Sequence, residues 1–206
     1  MVSESTARRY ELQDPDVRLM LEVRDGNAAA FDELMVRYQS RLVTVLEHLT
    51  GRRDLAEDLA QEVFLRVYRA RTRYVPGAKF STWLFTIANN VASNALRTLA
   101  RRAEVQIAPR DPEASGAHSL DHLAVAASGQ MPTRQLDKAE LQAVIEQALA
   151  ALNPRQRMAV LLSKFEEMSY NDIAETMQMS PQAIKSLLAR ARENLREALE
   201  PYLKNA

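Results

Sequence analysis

Apolar residues along this chain recur every three or four positions, and no stretch keeps the two-residue alternation of a half-buried strand. Phe31, Leu34, Met35, Tyr38, Leu42, Val45 and Leu49 line one face of a helix predicted over 28–49, with Asn27 as its cap and Gly51 as its stop. A shorter helix is expected over 16–24, opened by Asp14 or Asp16 with Pro15 in its first turn and closed by Asp25-Gly26-Asn27. Leu55, Leu59, Val63 and Val67 form the stripe of a third helix, about 54–70. Residues 71–80 read as a loop marked by Pro76-Gly77, and Ser81 is a candidate cap for a fourth helix running to about Arg102. The polar start, residues 1–13, is expected to be frayed or disordered.

Residues 104–135 break the pattern. Pro109, Pro112, Pro132, Gly116 and Gly129 are scattered among Ala and Ser, which is linker composition. A connection of that length is rare inside one compact domain, so the chain divides into helical domains at 16–103 and 136–203 joined by a flexible linker. Helices resume at about 136–151 and again at 155–165, the second capped by Asn153 with Pro154 in its first turn. Ser169 is placed to cap a helix over 170–177, and Ser180 to cap one opening at Pro181 and extending toward Leu199. The fold class is all-α, two small domains, with no internal repeat relating them.

The last two of these helices have the spacing of a helix-turn-helix. Ile173, Ala174, Met177, Ile184 and Leu187 or Leu188 make the apolar corner, with Ala174 small where the helices cross. In that motif the second helix enters the major groove, so Gln182, Ala183, Lys185 and Ser186 stand near base edges. Gln suits adenine, Lys suits guanine acceptors and Ala a thymine methyl, while Arg190 and Arg192 lie where phosphates run. Gln178 fills the turn position where Gly is usual, and a left-handed conformation there costs about 1 kcal/mol relative to Gly. An ordinary helical hairpin with a solvated basic end would share much of this pattern.

Charge alters the reading of the first domain. The chain carries 27 acidic and 27 basic side chains, but they are sorted by position. From Val63 to Arg102 there are eight cations (Arg66, Arg69, Arg71, Arg73, Lys79, Arg97, Arg101, Arg102) and no carboxylate. So many like charges in one segment point to a polyanion as partner. Trp83 beside Lys79, Ser81 and Arg73 offers a surface for unstacked bases, although a single Trp in an apolar stretch is more often a core residue. Asn89, Asn90 and Asn94 follow at helical spacing, and Arg97 and Arg101 continue as a phosphate track. The helix before this segment is acidic in its first half (Asp54, Glu57, Asp58, Gln61, Glu62), which suits its dipole and repels DNA. Leu59 and Phe64 need not both fit the buried stripe of Leu55 and Val63, so this face is a candidate for a protein partner.

Composition excludes several classes. No Cys is present, which rules out disulfides and thiolate metal sites, and the three His (His48, His118, His122) are too scattered for a metal centre. No apolar run approaches the roughly 20 residues that cross a bilayer, and no signal peptide opens the chain, so a cytoplasmic protein without membrane insertion is expected. No cofactor is implied. Asp54 and Asp58 are paired carboxylates without a nucleophile, base or metal beside them, which argues against an enzyme.

Two stretches resemble a known family. Asp54-Leu55-Ala56-Glu57-Asp58-Leu59-Ala60-Gln61-Glu62-Val63-Phe64, followed by Phe80-Ser81-Thr82-Trp83-Leu84-Phe85-Thr86-Ile87-Ala88-Asn89-Asn90, is similar to region two of the small extracytoplasmic-function sigma factors of bacterial RNA polymerase. Leu152-Asn153-Pro154-Arg155-Gln156-Arg157, Met168-Ser169-Tyr170-Asn171-Asp172-Ile173-Ala174, Ile184-Lys185-Ser186 and Arg190-Ala191-Arg192 are similar to region four. The resemblance implies a factor that binds core RNA polymerase and directs it to promoters, contacting duplex promoter DNA and the melted non-template strand. It implies that Asp58, Leu59, Gln61, Glu62 and Phe64 dock polymerase. Arg73, Lys79, Ser81, Trp83, Asn89, Asn90, Arg97 and Arg101 would then serve the minus-ten element. Ser180, Gln182, Ala183, Lys185, Ser186, Arg190 and Arg192 would serve the minus-thirty-five element. An anti-sigma protein is a further partner the family suggests. Departures fall at Leu187-Leu188, where the family often has Arg, and at Gln182-Ala183, where Gly-Thr is common. The alternatives are a helix-turn-helix regulator acting without being a polymerase subunit, and a scaffold whose helices bind only proteins.

Overall fold

Helix boundaries follow the stops and starts that the sequence supplies. The computed structural model describes residues 4–107 and 138–203, and among them all regular structure is helical. The helices are α1 (Glu4–Gln13), α2 (Pro15–Arg24), α3 (Ala28–Thr50), α4 (Arg53–Ala70), α5 (Phe80–Ile107), α6 (Lys138–Ala150), α7 (Pro154–Lys164), α8 (Tyr170–Met177) and α9 (Pro181–Leu203), with a 3-10 turn at Arg71–Arg73. Asn27 caps α3 by accepting from the Ala29 and Ala30 amides at 3.1 and 3.4 Å, and Gly51 ends it at φ 70°. Asn153 and Ser169 open α7 and α8, each as half of a reciprocal capping box.

Three expectations change. Residues 4–13 are helical rather than frayed, because Tyr10 packs against the core and its carbonyl accepts the Asp14 amide at 2.9 Å. Helix α5 begins at Phe80, so Ser81 lies inside its first turn and is not its cap. Helix α9 runs beyond Leu199 to Leu203 with Pro201 inside it. The expected linker begins within α5, whose end reaches Ile107; most of 104–135, His118 and His122 included, lies outside the described residues.

In the first helical domain α3 packs along α4, α2 crosses α3, and α5 closes the other side of α4. Val17, Met20, Leu34, Leu42, Leu46, Val63, Leu84 and Phe85 fill its centre. In the second, α9 spans α6, α7 and α8. The helix-turn-helix corner is dry: Ile173 and Ile184 are 0% exposed, Ala174 is buried at the crossing, and Leu188 rather than Leu187 completes it. Gln178 is left-handed at φ 55°, as the turn requires. The Ser180 hydroxyl accepts the Ala183 amide at 3.2 Å and so caps α9.

The two domains touch, with α8 lying on α5 and α7 on α3. Lys79 pairs with Asp172 at 3.0 Å, and the Thr176 hydroxyl donates to the Thr82 carbonyl at 3.4 Å. Arg41 of α3 pairs with Glu166, whose side chain is 2% exposed, and its guanidinium also lies over the Tyr38 ring. Arg157 collects two helix ends at once. It donates to the Leu149 and Ala150 carbonyls at the end of α6 (2.8 and 2.7 Å) and to the Leu49 and His48 carbonyls at the end of α3 (3.2 and 3.4 Å). A cation there answers the orphan carbonyls and the negative pole of both helices. Burial holds the Glu166 carboxyl above its ordinary range despite Arg41. Burial also pushes Asp172 upward, but Lys79 and Ser169 outweigh it and leave that carboxyl below its ordinary range. Their contributions therefore have opposite pH dependence: that of Glu166 fades as pH rises through its raised value, that of Asp172 as pH falls through its lowered one.

Gln178→Gly is expected to stabilise the protein by about 1 kcal/mol, seen as a higher urea midpoint at unchanged slope; a lower midpoint would mean that the turn does not hold Gln178 left-handed. Arg41→Met keeps an apolar body at this site but strands the Glu166 carboxylate, and should cost the closed arrangement about 2–3 kcal/mol. Small-angle scattering should then report a larger radius of gyration, and an unchanged profile would count against this contact as a latch.

Candidate nucleic-acid and protein interfaces

An open cleft of about 950 Å³ runs between α3 and α4. Phe31, Met35, Val36 and Val43 line it from α3, and Ala60, Phe64, Leu65 and Tyr68 from α4, with Gln39, Arg53, Glu57 and Gln61 among its polar lining. Three apolar side chains stand in solvent here: Val36 (80% exposed), Leu65 (50%) and Tyr68 (41%). Phe64 is buried, edge-on to Phe31 with centroids 6.3 Å apart, so it lines the cleft from within instead of projecting as a spare side chain. Of the five expected protein-docking residues, Gln61 and Phe64 line the cleft. At roughly 100° per residue, Asp58 and Glu62 lie beside Leu65 on the outer edge of α4, whereas half-buried Leu59 points away from the cleft and packs against the core. The acidic half of α4 is partly answered by arginines: Arg53–Glu57 at 3.0 Å, Arg66–Glu62 at 2.7 Å, and Arg52 with Asp54. Val36, Leu65 and Tyr68 were missed in the sequence. The available signal was that Leu65 and Tyr68 fall off the Leu55, Val63, Val67 stripe.

A second surface surrounds the start of α5. Trp83 is half-buried between Tyr74 and Phe80, at centroid distances of 4.8 and 5.9 Å. Phe80 is buried and meets Tyr38 edge-on at 5.2 Å, so it supports the surface from below. Arg73, Lys79, Asn90, Arg97 and Arg101 are exposed, and Ser81 is half-buried. Asn89 is half-buried and lines a crevice with Pro154, Arg155 and Met158 of α7, so the domain contact covers it in this arrangement. Arg71 is engaged locally, donating to the Tyr68 carbonyl at 2.8 Å with its guanidinium 3.9 Å from the Tyr68 ring centroid. Two buried oxygens here, Tyr74 Oη and Thr82 Oγ1, have no hydrogen-bond partner among the described residues. Burial, followed by the Asp14 charge, pushes the Tyr74 phenol well above its ordinary range. The acceptor for the first amide of α5 is also Asp14, whose Oδ2 receives the Phe80 N–H at 2.9 Å. Nothing local in the sequence signals that cap.

The third surface is the first half of α9. Ser180, Gln182, Lys185, Arg190 and Arg192 are exposed and Ala183 is half-buried, on the side away from Ile184 and Leu188. The Ser186 hydroxyl donates to the Gln182 carbonyl at 3.1 Å, which leaves its oxygen lone pairs for a partner. Arg192 donates to the Tyr170 hydroxyl at 3.2 Å, so α8 orients it. Sequence reasoning missed Tyr170. Thus the docking candidates other than Leu59, the strand candidates other than the covered Asn89, and the groove candidates lie on three separate surfaces. Among the described residues no cluster of His, Asp and Glu could hold a metal, and no helix is long and apolar enough to cross a membrane.

Comparison with known proteins identifies the family. The profile for sigma-70 region 2 matches residues 34–102 and that for sigma-70 region 4 matches residues 142–195. The RNA polymerase sigma-H factor of Pseudomonas aeruginosa is 33% identical over 94% of this chain and 98% of its own. The RNA polymerase sigma factor CarQ of Myxococcus xanthus is 37% identical over 87% and 95%, and the extracytoplasmic-function sigma factor SigW of Bacillus subtilis 28% over 86% and 93%. Among solved structures, the sigma factor RpoE of Bartonella quintana, in complex with the anti-sigma factor NepR, superposes with a TM-score of 0.62 at 25% identity, covering 82% of this chain and 96% of that one. With both regions present, in order, and relatives that span nearly its whole length, the chain belongs to the sigma-70 family of RNA polymerase sigma factors, in the extracytoplasmic-function group of non-catalytic transcription initiation factors.

Proposed function

We propose a division of labour among the three surfaces. The observation that carries it is their separation: an apolar cleft with an acidic edge on α3 and α4, a basic aromatic face on α5, and a polar, basic recognition helix α9. The cleft takes core RNA polymerase, with Gln61, Phe64, Leu65 and Tyr68 lining it and Asp58 and Glu62 beside it. A cleft whose rim carries carboxylates repels DNA, which leaves it to a protein. Helix α5 and the turn before it hold the melted non-template strand of the minus-ten element, Trp83 offering an aromatic face and Arg73, Lys79, Arg97 and Arg101 charge. Asn90 is available at once and Asn89 after the domains part. Helix α9 reads the minus-thirty-five duplex through Gln182, Ala183, Lys185 and Ser186, with Ser180, Arg190 and Arg192 on the backbone.

The work is non-covalent: binding energy offsets the cost of opening a few base pairs and holding bases unstacked. The domain contact has a direct consequence, since α8 occupies the strand face and Asp172 sits on Lys79. Holoenzyme assembly therefore separates the two domains. A partner that covers the cleft in free protein would silence it, as suits an anti-sigma protein acting in the cytoplasm.

Run-off transcription with purified core polymerase tests this assignment. Leu65→Asp places a charge in the cleft and should weaken polymerase binding by about ten-fold or more. Lys185→Ala should leave polymerase affinity unchanged and reduce upstream-element use by about 1–3 kcal/mol. Arg97→Ala should lower strand opening, measured by permanganate, without altering either of the other two. Identical losses in all three assays for all three variants would refute the division.

A further inference from the structure

Helix α5 has no cap of its own. The residue before it is Lys79, a pure donor, and Pro76, Gly77 and Ala78 offer no side-chain acceptor. Phe80 is 1% exposed, which keeps water from its amide. The acceptor arrives from the far end of the domain. Asp14 Oδ2 takes the Phe80 N–H at 2.9 Å, across 66 residues, while Oδ1 takes the Asp16 N–H at 2.9 Å and caps α2. One carboxylate therefore starts two helices and fixes the first turn of α5 to that of α2. On that turn stand Lys79, Ser81 and Trp83, with Trp83 wedged between Tyr74 and Phe80.

Asp16, two residues on, does a different job. Its carboxylate pairs with Arg37 and accepts the Tyr38 hydroxyl, both on α3. The two acids share one turn and one charge but hold different helices.

We infer that Asp14 is a positioning residue for promoter opening, holding the start of α5 in the geometry that receives the melted strand. This rests on the reading of Lys79 and Trp83 as strand contacts. Charge and geometry pull in opposite directions here. A carboxylate beside a surface meant for phosphates lowers affinity on electrostatic grounds, so removing it would strengthen DNA binding if charge were its whole role. Removing the cap instead loosens the turn and weakens opening. An Asn at this position has one acceptor oxygen, and its N–H2 would face the second donor, so it can serve one helix only.

The test uses full-length protein with core polymerase and permanganate reactivity of minus-ten thymines. Asp14→Asn is expected to slow opening on the order of ten-fold. Polymerase affinity and upstream protection should stay within about two-fold. Asp16→Asn, the comparator, should lower the thermal midpoint to a similar degree with normal opening. Equal opening defects in the two variants would reduce Asp14 to a structural role, and faster opening by Asp14→Asn would reduce it to its charge; either result overturns the proposal. Lys79→Ala and Trp83→Ala report separately on the strand-contact reading, and normal opening by both would remove that reading and the proposal with it. Should Asp14→Asn fail to fold, amide exchange in the unaltered protein decides: the Phe80 amide should exchange as slowly as its neighbours inside α5, and rapid exchange would show that Asp14 does not hold it.

Discussion

A segment with eight cations and no carboxylate cannot neutralise itself, and the rest of the structure answers that constraint from outside. The acids that reach it lie outside the segment: Asp14 before α2 meets the first amide of α5, Glu62 one turn earlier in α4 holds Arg66, and Asp172 from α8 holds Lys79. Each acid does a different thing because each sits at a different depth. Glu62 and Arg66 are both exposed enough for solvent to weaken their attraction. Asp14 acts on a buried amide, where an unmet donor costs far more than an unmade surface ion pair. Asp172 crosses between domains, so its contact depends on their arrangement. Arg73, Arg97 and Arg101 stay exposed, which is the charge the proposed strand face calls for.

The cleft between α3 and α4 follows a different rule. Its floor is the domain's own core, with Phe31 and Phe64 in ring contact, but the stripe does not stop at the core boundary. Leu65 and Tyr68 carry the apolar surface around α4, and Val36 meets them from α3. A contiguous exposed apolar face of this kind marks an interaction surface more reliably than isolated exposed side chains do. The polar residues beside it then bias which partner can approach.

Local signals made most of the fold legible. Asn27, Asn153, Ser169 and Ser180 each cap the helix their position suggested, because a cap acts within three residues and needs no knowledge of the fold. The helix-turn-helix corner was equally readable, since Ile173, Ala174 and Ile184 are set by helical spacing and by the crossing itself. The failures were non-local. Ser81 looked like a cap because it was the nearest hydroxyl, whereas the real acceptor lies across 66 residues. Residues 4–13 looked too polar to order, yet Tyr10 packs against the core and its carbonyl takes the Asp14 amide, which ties that helix to the start of α2. Phe64 looked spare on a two-dimensional stripe, but α3 brings Phe31 to it. The candidate groove residues on α9 were legible for the same reason as its core, because the exposed side is what the buried side leaves over. Asn89 was not, since its environment is supplied by α7 of the other domain.

The contacts between the domains are of a kind that can part. They include two ion pairs, a hydroxyl on a carbonyl at 3.4 Å, and one guanidinium shared between two helix ends, with ring contact between His48 and Phe165. Water and salt can replace the exposed polar links on separation, although apolar side chains of the two domains also share one buried cluster that parting would expose. Two of the polar links also occupy groups on the proposed strand face: the ammonium of Lys79 and the backbone of Thr82. On the proposed function a phosphate on Lys79 would substitute one anion for another. Within each domain apolar stripes dominate, closed at the helix ends by side-chain caps. On the proposed function, apolar packing thus shapes each binding surface, while the ion pairs and hydrogen bonds between the domains are the links that parting exchanges for solvent or DNA.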